Sequence, residues 1–375
     1  MSAPSHVTHA LVDGLLALEV EDRVANLVQA WIPRNSILAA ADAAFAARIA
    51  VVVSGQRDVR GSTTVTVDTG SRPALTLDGV KLWITGDHGV MRGAVASAAP
   101  VPGLANASNA STVAAADDAS VATGRLDLEN GRALITVPAS GPASDAYSML
   151  TIASALLLLR QECALVHAGA VVASDGGAWL LVGDTHSGKS TTCLNLLRGG
   201  CRYLADDQVV LRAGNGSSIF VSGWQRDFHL DEGWHEGDRI GRRGTIDPFE
   251  FSPETSREAP IAGVLLLSIA ADAPTRLTKA ASSEALAGIV RQTPWFLVDR
   301  PIAARALKLL SRVALLPTYA LSVGLDVYTD ANRLMEVVSP ALGAGSRAIA
   351  AATARYRLGH TGAARVSQSA RTSER

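Results

Sequence analysis

Apolar positions in the first third of the chain come in short runs closed by Gly, Asp or Ser. Residues 10–12, 15–20, 49–53, 63–67 and 74–77 have strand length. Residues 63–67 alternate Thr and Val, which is the pattern of a half-exposed strand. Residues 38–47 are alanine-rich and read as a short helix, and 81–85 as another strand. Over 95–123 the pattern dissolves into Ala, Ser, Asn, Val and Gly, the composition of a loop or linker. Strand character returns over 126–137 around a turn at Asn130-Gly131. A domain boundary is placed near residue 140, at Ser140-Gly141-Pro142, so residues 1–140 form an N-terminal β-rich (α+β) domain.

Beyond it the pattern changes. Residues 145–161 carry Met149, Leu150, Ile152, Leu156 and Leu157 at the density of a buried helix. Residues 164–172 read as a strand with His167 inside it, and Ser174 to Gly177 as a turn. The apolar run 178–182 is a buried strand, 191–198 a helix, and Gly199-Gly200 its stop. Residues 201–211 read as a strand holding Asp206 and Asp207, and 219–221 as its hairpin partner. Residues 224–244 are polar and loop-like. A strand at 261–269, helices at 281–289 and 303–316, a strand at 319–325 and a short helix at 334–338 complete an α/β domain over 141–345. From residue 360 onward there is no apolar cluster, and the tail 346–375 reads as largely disordered.

Between the strand at 178–182 and the helix after it lies Gly183-Asp184-Thr185-His186-Ser187-Gly188-Lys189-Ser190-Thr191. It fits the phosphate-binding P-loop, in the strand–turn–helix context that the motif requires. Gly183 and Gly188 let the backbone approach a phosphate closely. The helix N-terminus supplies unpaired N–H groups and a positive dipole end. Lys189 would reach the β/γ oxygens, and the Ser190 hydroxyl would ligate Mg²⁺. The expected ligands are therefore ATP and Mg²⁺. In a regular strand adjacent side chains point to opposite faces. One of Asp206 and Asp207 can then face the phosphates while the other anchors structure or metal, and a kinase needs a carboxylate to orient or accept a hydroxyl proton. Arg226, Arg242 and Arg243 are further candidates for contact with an anionic group.

Composition narrows the field. Hydrophobic residues are 48% of 375, enough for a sizeable core. A formal net charge of -1 argues against a general nucleic-acid binder. Cys163, Cys193 and Cys201 have neither metal-type spacing nor an even count, which points to a reducing, cytoplasmic setting. The N-terminal residues lack a signal-peptide pattern, and no apolar run has bilayer length, so no membrane partner is expected.

His167-Ala168-Gly169-Ala170, then Gly183 to Ser190, then Leu204-Ala205-Asp206-Asp207 resembles the core of HPr kinase/phosphorylase and its kinase-like relatives. Gln225 to Leu230 is similar to an arginine-containing segment of the divergent relatives. The resemblance covers roughly residues 145–325 and implies a P-loop, HPr-kinase/PEP-carboxykinase-like mixed-sheet fold. It implies that Gly183 to Thr191 cradle the ATP phosphates, that Ser190 and Asp206 attend the metal, and that Asp207, His167 and Lys189 are catalytic. The glycine-rich signature linked in the family to phosphorylase activity is not found; residues 242–246 are a faint echo of it. The implied activity is ATP-dependent phosphorylation of a serine-type hydroxyl on a protein or peptide. A small-molecule kinase and a non-catalytic ATP sensor are the alternatives, and self-association of the chain is compatible with each.

Overall fold

The computed structural model describes residues 6–40, 43–53, 73–93, 121–138, 143–216, 218–231, 243–252, 254–298, 300–330 and 332–343. The expected strand at 63–67, most of the 95–123 linker, the 140–142 boundary and the 346–375 tail lie outside these residues. Contacts divide the chain into two units. One comprises Met1–Ala164 with Pro294–Ala306, the other Leu165–Thr293 with Leu307–Arg375. The division thus falls beyond the helix Ala143–Arg160, where the apolar pattern placed it near residue 140.

The first unit is built on a nine-stranded mixed sheet. From one edge its strands are Ile37–Leu38, His6–Leu11, Leu16–Glu21, Ala47–Val53, Arg132–Val137, Thr123–Asp127, His88–Arg92, Val80–Thr85 and Leu75–Leu77. Ala47–Val53 runs parallel to both of its neighbours and alternates buried and half-buried positions. The hairpin read over 126–137 is present, and Asp127 Oδ1 accepts from Asn130 N at 3.0 Å to shape its turn. The helix read over 38–47 is not. Leu38 ends a strand, Ala47 begins another, and the described residues between them are not helical. Alanine propensity over ten residues is too weak to nucleate a helix without packing. Ile49, Val51 and Val53 gain burial in the sheet instead. The long helix Ala143–Arg160 is buried along 148–159, and Thr151 Oγ1 accepts from Trp31 Nε1 at 3.1 Å.

The second unit is also mixed α/β. Its sheet runs Cys163–Val166, Val209–Ala213, Ile219–Gly223, Glu258–Ile269, Ala178–Val182, Gly169–Val172, Arg202–Ala205. The strand Ala178–Val182 is buried throughout, with Glu258–Ile269 parallel on one side and Gly169–Val172 antiparallel on the other. Burial on both faces explains its unbroken apolar run. Thr318–Val323 continues the parallel set beyond Glu258–Ile269. The helix Lys189–Arg198 packs with Trp179, Leu181, Tyr203, Phe228, Leu265 and Leu334 in one core. Part of the segment read as a loop is structured: Phe228–Asp231 pairs with Arg243–Ile246, and Phe228 is fully buried. A single aromatic anchor in a polar stretch gives too little periodicity to be read as a strand. Among the described residues no helix is long and apolar enough to cross a membrane.

Candidate functional site

Ala178–Val182 ends just before Gly183, and the helix Lys189–Arg198 begins after Gly188, so the glycine-rich segment 183–188 is the connection. Both glycines are required by the geometry. A Cβ on Gly183 would lie 2.4 Å from Ser187 Oγ and 2.9 Å from Leu267 O. Gly188 caps the helix with φ of +86°, a left-handed value that a side chain resists. His186 also takes a positive φ, +63°. Asp184, Thr185 and His186 are exposed at the tip of the loop, while Lys189 and Thr191 are buried. The Lys189 ammonium donates to Gly183 O at 2.9 Å and to Asp184 O at 3.0 Å. Burial lowers its pKa, and Asp207, Asp206 and Asp184 oppose that shift.

Two carboxylates flank this lysine from the far end of Arg202–Ala205. The segment read as one strand is broken at Asp206-Asp207-Gln208, and the chain resumes as Val209–Ala213. Aspartate is disfavoured in ladders, and the break releases both side chains. They take different environments, as alternation would have given. Asp206 is 6% exposed and accepts from Ser190 Oγ at 2.8 Å through Oδ2, while its buried Oδ1 has no partner. Desolvation, then the neighbouring Asp207, push its carboxyl up to about 7. Asp207 is half-exposed, and its Oδ1 lies 3.3 Å from His167 Nε2.

The strand read over 164–172 is likewise two strands, Cys163–Val166 and Gly169–Val172, with His167-Ala168 between them. His167 N leaves the ladder to donate to Gln292 O at 2.9 Å. That bond was invisible in the sequence. Gln292 ends the helix Ser282–Arg291, and its amide also donates to Asp184 Oδ1 at 3.0 Å across 108 positions. Arg226 does not point out as a loop residue would. Its guanidinium donates to Gln208 Oε1 at 2.5 Å, its carbonyl accepts from Tyr203 Oη at 2.7 Å, and burial lowers its pKa to about 9. Arg242 lies outside the described residues.

The donor set suits a small hard cation. Ser190 Oγ and the unpartnered Asp206 Oδ1 are oxygens beside the loop that could bind one, and a divalent ion would relieve the buried carboxylate. Among the described residues no three His, Cys, Asp or Glu side chains cluster as a metal cage.

No family model matches the chain, and no curated protein matches it. Among solved structures it is similar to the Hpr(Ser) kinase/phosphatase from Coxiella burnetii, with 18% identity over 29% of this chain and a TM-score of 0.23. The match spans 66% of that protein, just under two thirds of its length. A likeness of this size carries no conclusion about the fold or the substrate of this chain.

Proposed function

We propose that the second unit binds ATP with Mg²⁺ and transfers the γ-phosphate to a serine-type hydroxyl of a protein or peptide. The observation that carries this reading is the convergence of three parts. These are a P-loop with a buried lysine, a Ser190–Asp206 pair with a spare buried carboxylate oxygen, and a His167–Asp207 pair on adjoining strand ends. Loop N–H groups and the Lys189 ammonium would hold the phosphates, and Ser190 and Asp206 would hold Mg²⁺. When bound, Mg²⁺ neutralises charge on the β/γ oxygens.

Asp207 is the accessible carboxylate and is assigned to the acceptor. Its oxygen takes the hydroxyl proton as the acceptor oxygen forms a bond to the γ-phosphorus. The bond from that phosphorus to the bridging oxygen breaks, and ADP leaves with the electron pair. His167, 3.3 Å from Asp207, fixes the carboxylate's orientation. Because charge spreads over the transferred group, positioning and electrostatics carry the catalysis.

The test is γ-labelled ATP with Mg²⁺ and an extract of the source cells, separated afterwards into protein, peptide and metabolite fractions. Asp207→Ala runs beside the wild type. Label in one protein or peptide band, absent with the variant, is the expected result. Label confined to a metabolite would move the activity to a small-molecule acceptor. No transfer despite measurable MgATP binding would overturn the kinase reading in favour of a sensor.

A further inference from the structure

Gln292 touches both halves of the site. Its N–H closes the helix Ser282–Arg291 on Ile289 O at 3.1 Å. Its carbonyl accepts from His167 N at 2.9 Å, and its side-chain amide donates to Asp184 Oδ1 at 3.0 Å. Arg291 Nε stands 3.8 Å from the same carboxylate oxygen. The helix end that carries Gln292 is firmly seated. Gly288 approaches the sheet so closely that a Cβ there would lie 3.0 Å from Leu266 Cδ2 and 3.5 Å from Val182 Cγ1. The next residue, Thr293, is fully buried, and its hydroxyl donates to Ile289 O at 2.8 Å.

Asp184 is the second residue of the P-loop, and its carbonyl is one of the two that Lys189 holds. His167 is the partner of Asp207. We propose that Gln292 is a positioning residue that keeps the nucleotide loop in register with the His167–Asp207 pair. This rests on the phosphotransfer reading above. The phosphate-donor side is anchored through the amide and the acceptor side through the carbonyl. The distance between loop and acceptor carboxylate is therefore set from one residue on a rigid helix end. In-line transfer is steeply sensitive to that distance.

Exchanging donor and acceptor tests the idea. Asp184→Asn keeps an acceptor oxygen for the glutamine amide, and its kcat is the reference against which the double variant is read. Gln292→Glu sets two carboxylates against each other and should lower kcat about tenfold, with the KM for MgATP changed far less. The double variant Gln292→Glu/Asp184→Asn restores the hydrogen bond in reverse and should recover most of the loss. Gln292→Leu should show the same loss without recovery by Asp184→Asn. A residue with a merely structural role would not give this pattern of rescue. Asp184 is exposed and Gln292 half-exposed, so each variant should fold, as circular dichroism would check.

Wild-type kcat in Gln292→Glu, or a double variant no better than Gln292→Glu alone, overturns the positioning role. Lys189→Ala separates that failure from a failure of the kinase reading. If Lys189→Ala is inactive and the rescue fails, only the role of Gln292 falls. If Lys189→Ala keeps full transfer, or the wild type gives no labelled product, the kinase reading falls and the role with it.

Discussion

Replacing the buried Asp206 by asparagine should stabilise the second unit, by an amount that grows with pH. The carboxyl is 6% exposed, and its pKa lies at about 7 instead of an ordinary 3.8. The folded value is above the unfolded one, so the fold favours the protonated form. That contribution is complete below the unfolded value and is lost as pH rises through about 7. Three units at 1.36 kcal/mol each set the charged-state penalty at roughly 4 kcal/mol at pH 8 and roughly 2 at pH 5. Asparagine retains an acceptor for Ser190 Oγ and has no such titration. Relative to wild type, Asp206→Asn should therefore gain roughly 2 kcal/mol between pH 5 and pH 8, or about 30-fold in amide-exchange protection. The assay is hydrogen exchange read by mass spectrometry on peptides covering residues 189–205, with EDTA present. Taking the variant-to-wild-type ratio at each pH removes the intrinsic pH dependence of exchange. A ratio that stays flat, or that falls as pH rises, would refute the reasoning. MgATP should reverse the order at pH 8 by protecting the wild type more than the variant.

Other perturbations follow from the same geometry. Lys189→Met should reduce phosphate transfer by at least about 100-fold while leaving the circular dichroism spectrum intact. Gly183→Ala, whose Cβ would meet Ser187 Oγ at 2.4 Å, should weaken MgATP binding by about tenfold or more in calorimetric titration. Gly188→Ala meets nothing closer than 3.7 Å, so only its left-handed backbone resists, and the expected loss is about 1–2 kcal/mol of stability in urea unfolding. Cys163, Cys193 and Cys201 are buried, and desolvation raises the Cys201 thiol to about 11. None of the three should react with a disulfide reagent at pH 8 until the protein is unfolded.

Much of the site's local geometry is legible in the sequence because a few residue types dictate it. An apolar run, two glycines and a lysine define the strand, turn and helix at 178–198 with almost no shift in bounds. The pairing of Asp206 with Asp207 is equally visible, although the strand drawn through it breaks there. Apolar density likewise places the helix Ala143–Arg160, while packing rather than periodicity decides which unit holds it. What stays hidden depends on partners distant in sequence. The break at His167 is a backbone bond to Gln292, and nothing near His167 announces it. Gln292 itself sits at an ordinary helix end, with no motif around it. Residues 38–47 show the converse, since local alanine content points to a helix and the neighbouring strands prevail.

The two carbonyl bonds made by Lys189 bear on how a nucleotide would be recognised. The ammonium does not wait as a naked charge. It already holds Gly183 and Asp184 with two of its three N–H donors, so a phosphate that takes more than one contact gains it by exchange. Trading neutral carbonyl partners for anionic oxygens leaves the number of hydrogen bonds almost unchanged. The net gain comes from their charge. Discrimination should therefore track the negative charge that a ligand brings to the loop more closely than the number of its acceptor atoms. Uncharged mimics of a polyphosphate would find two of this lysine's three donors already engaged.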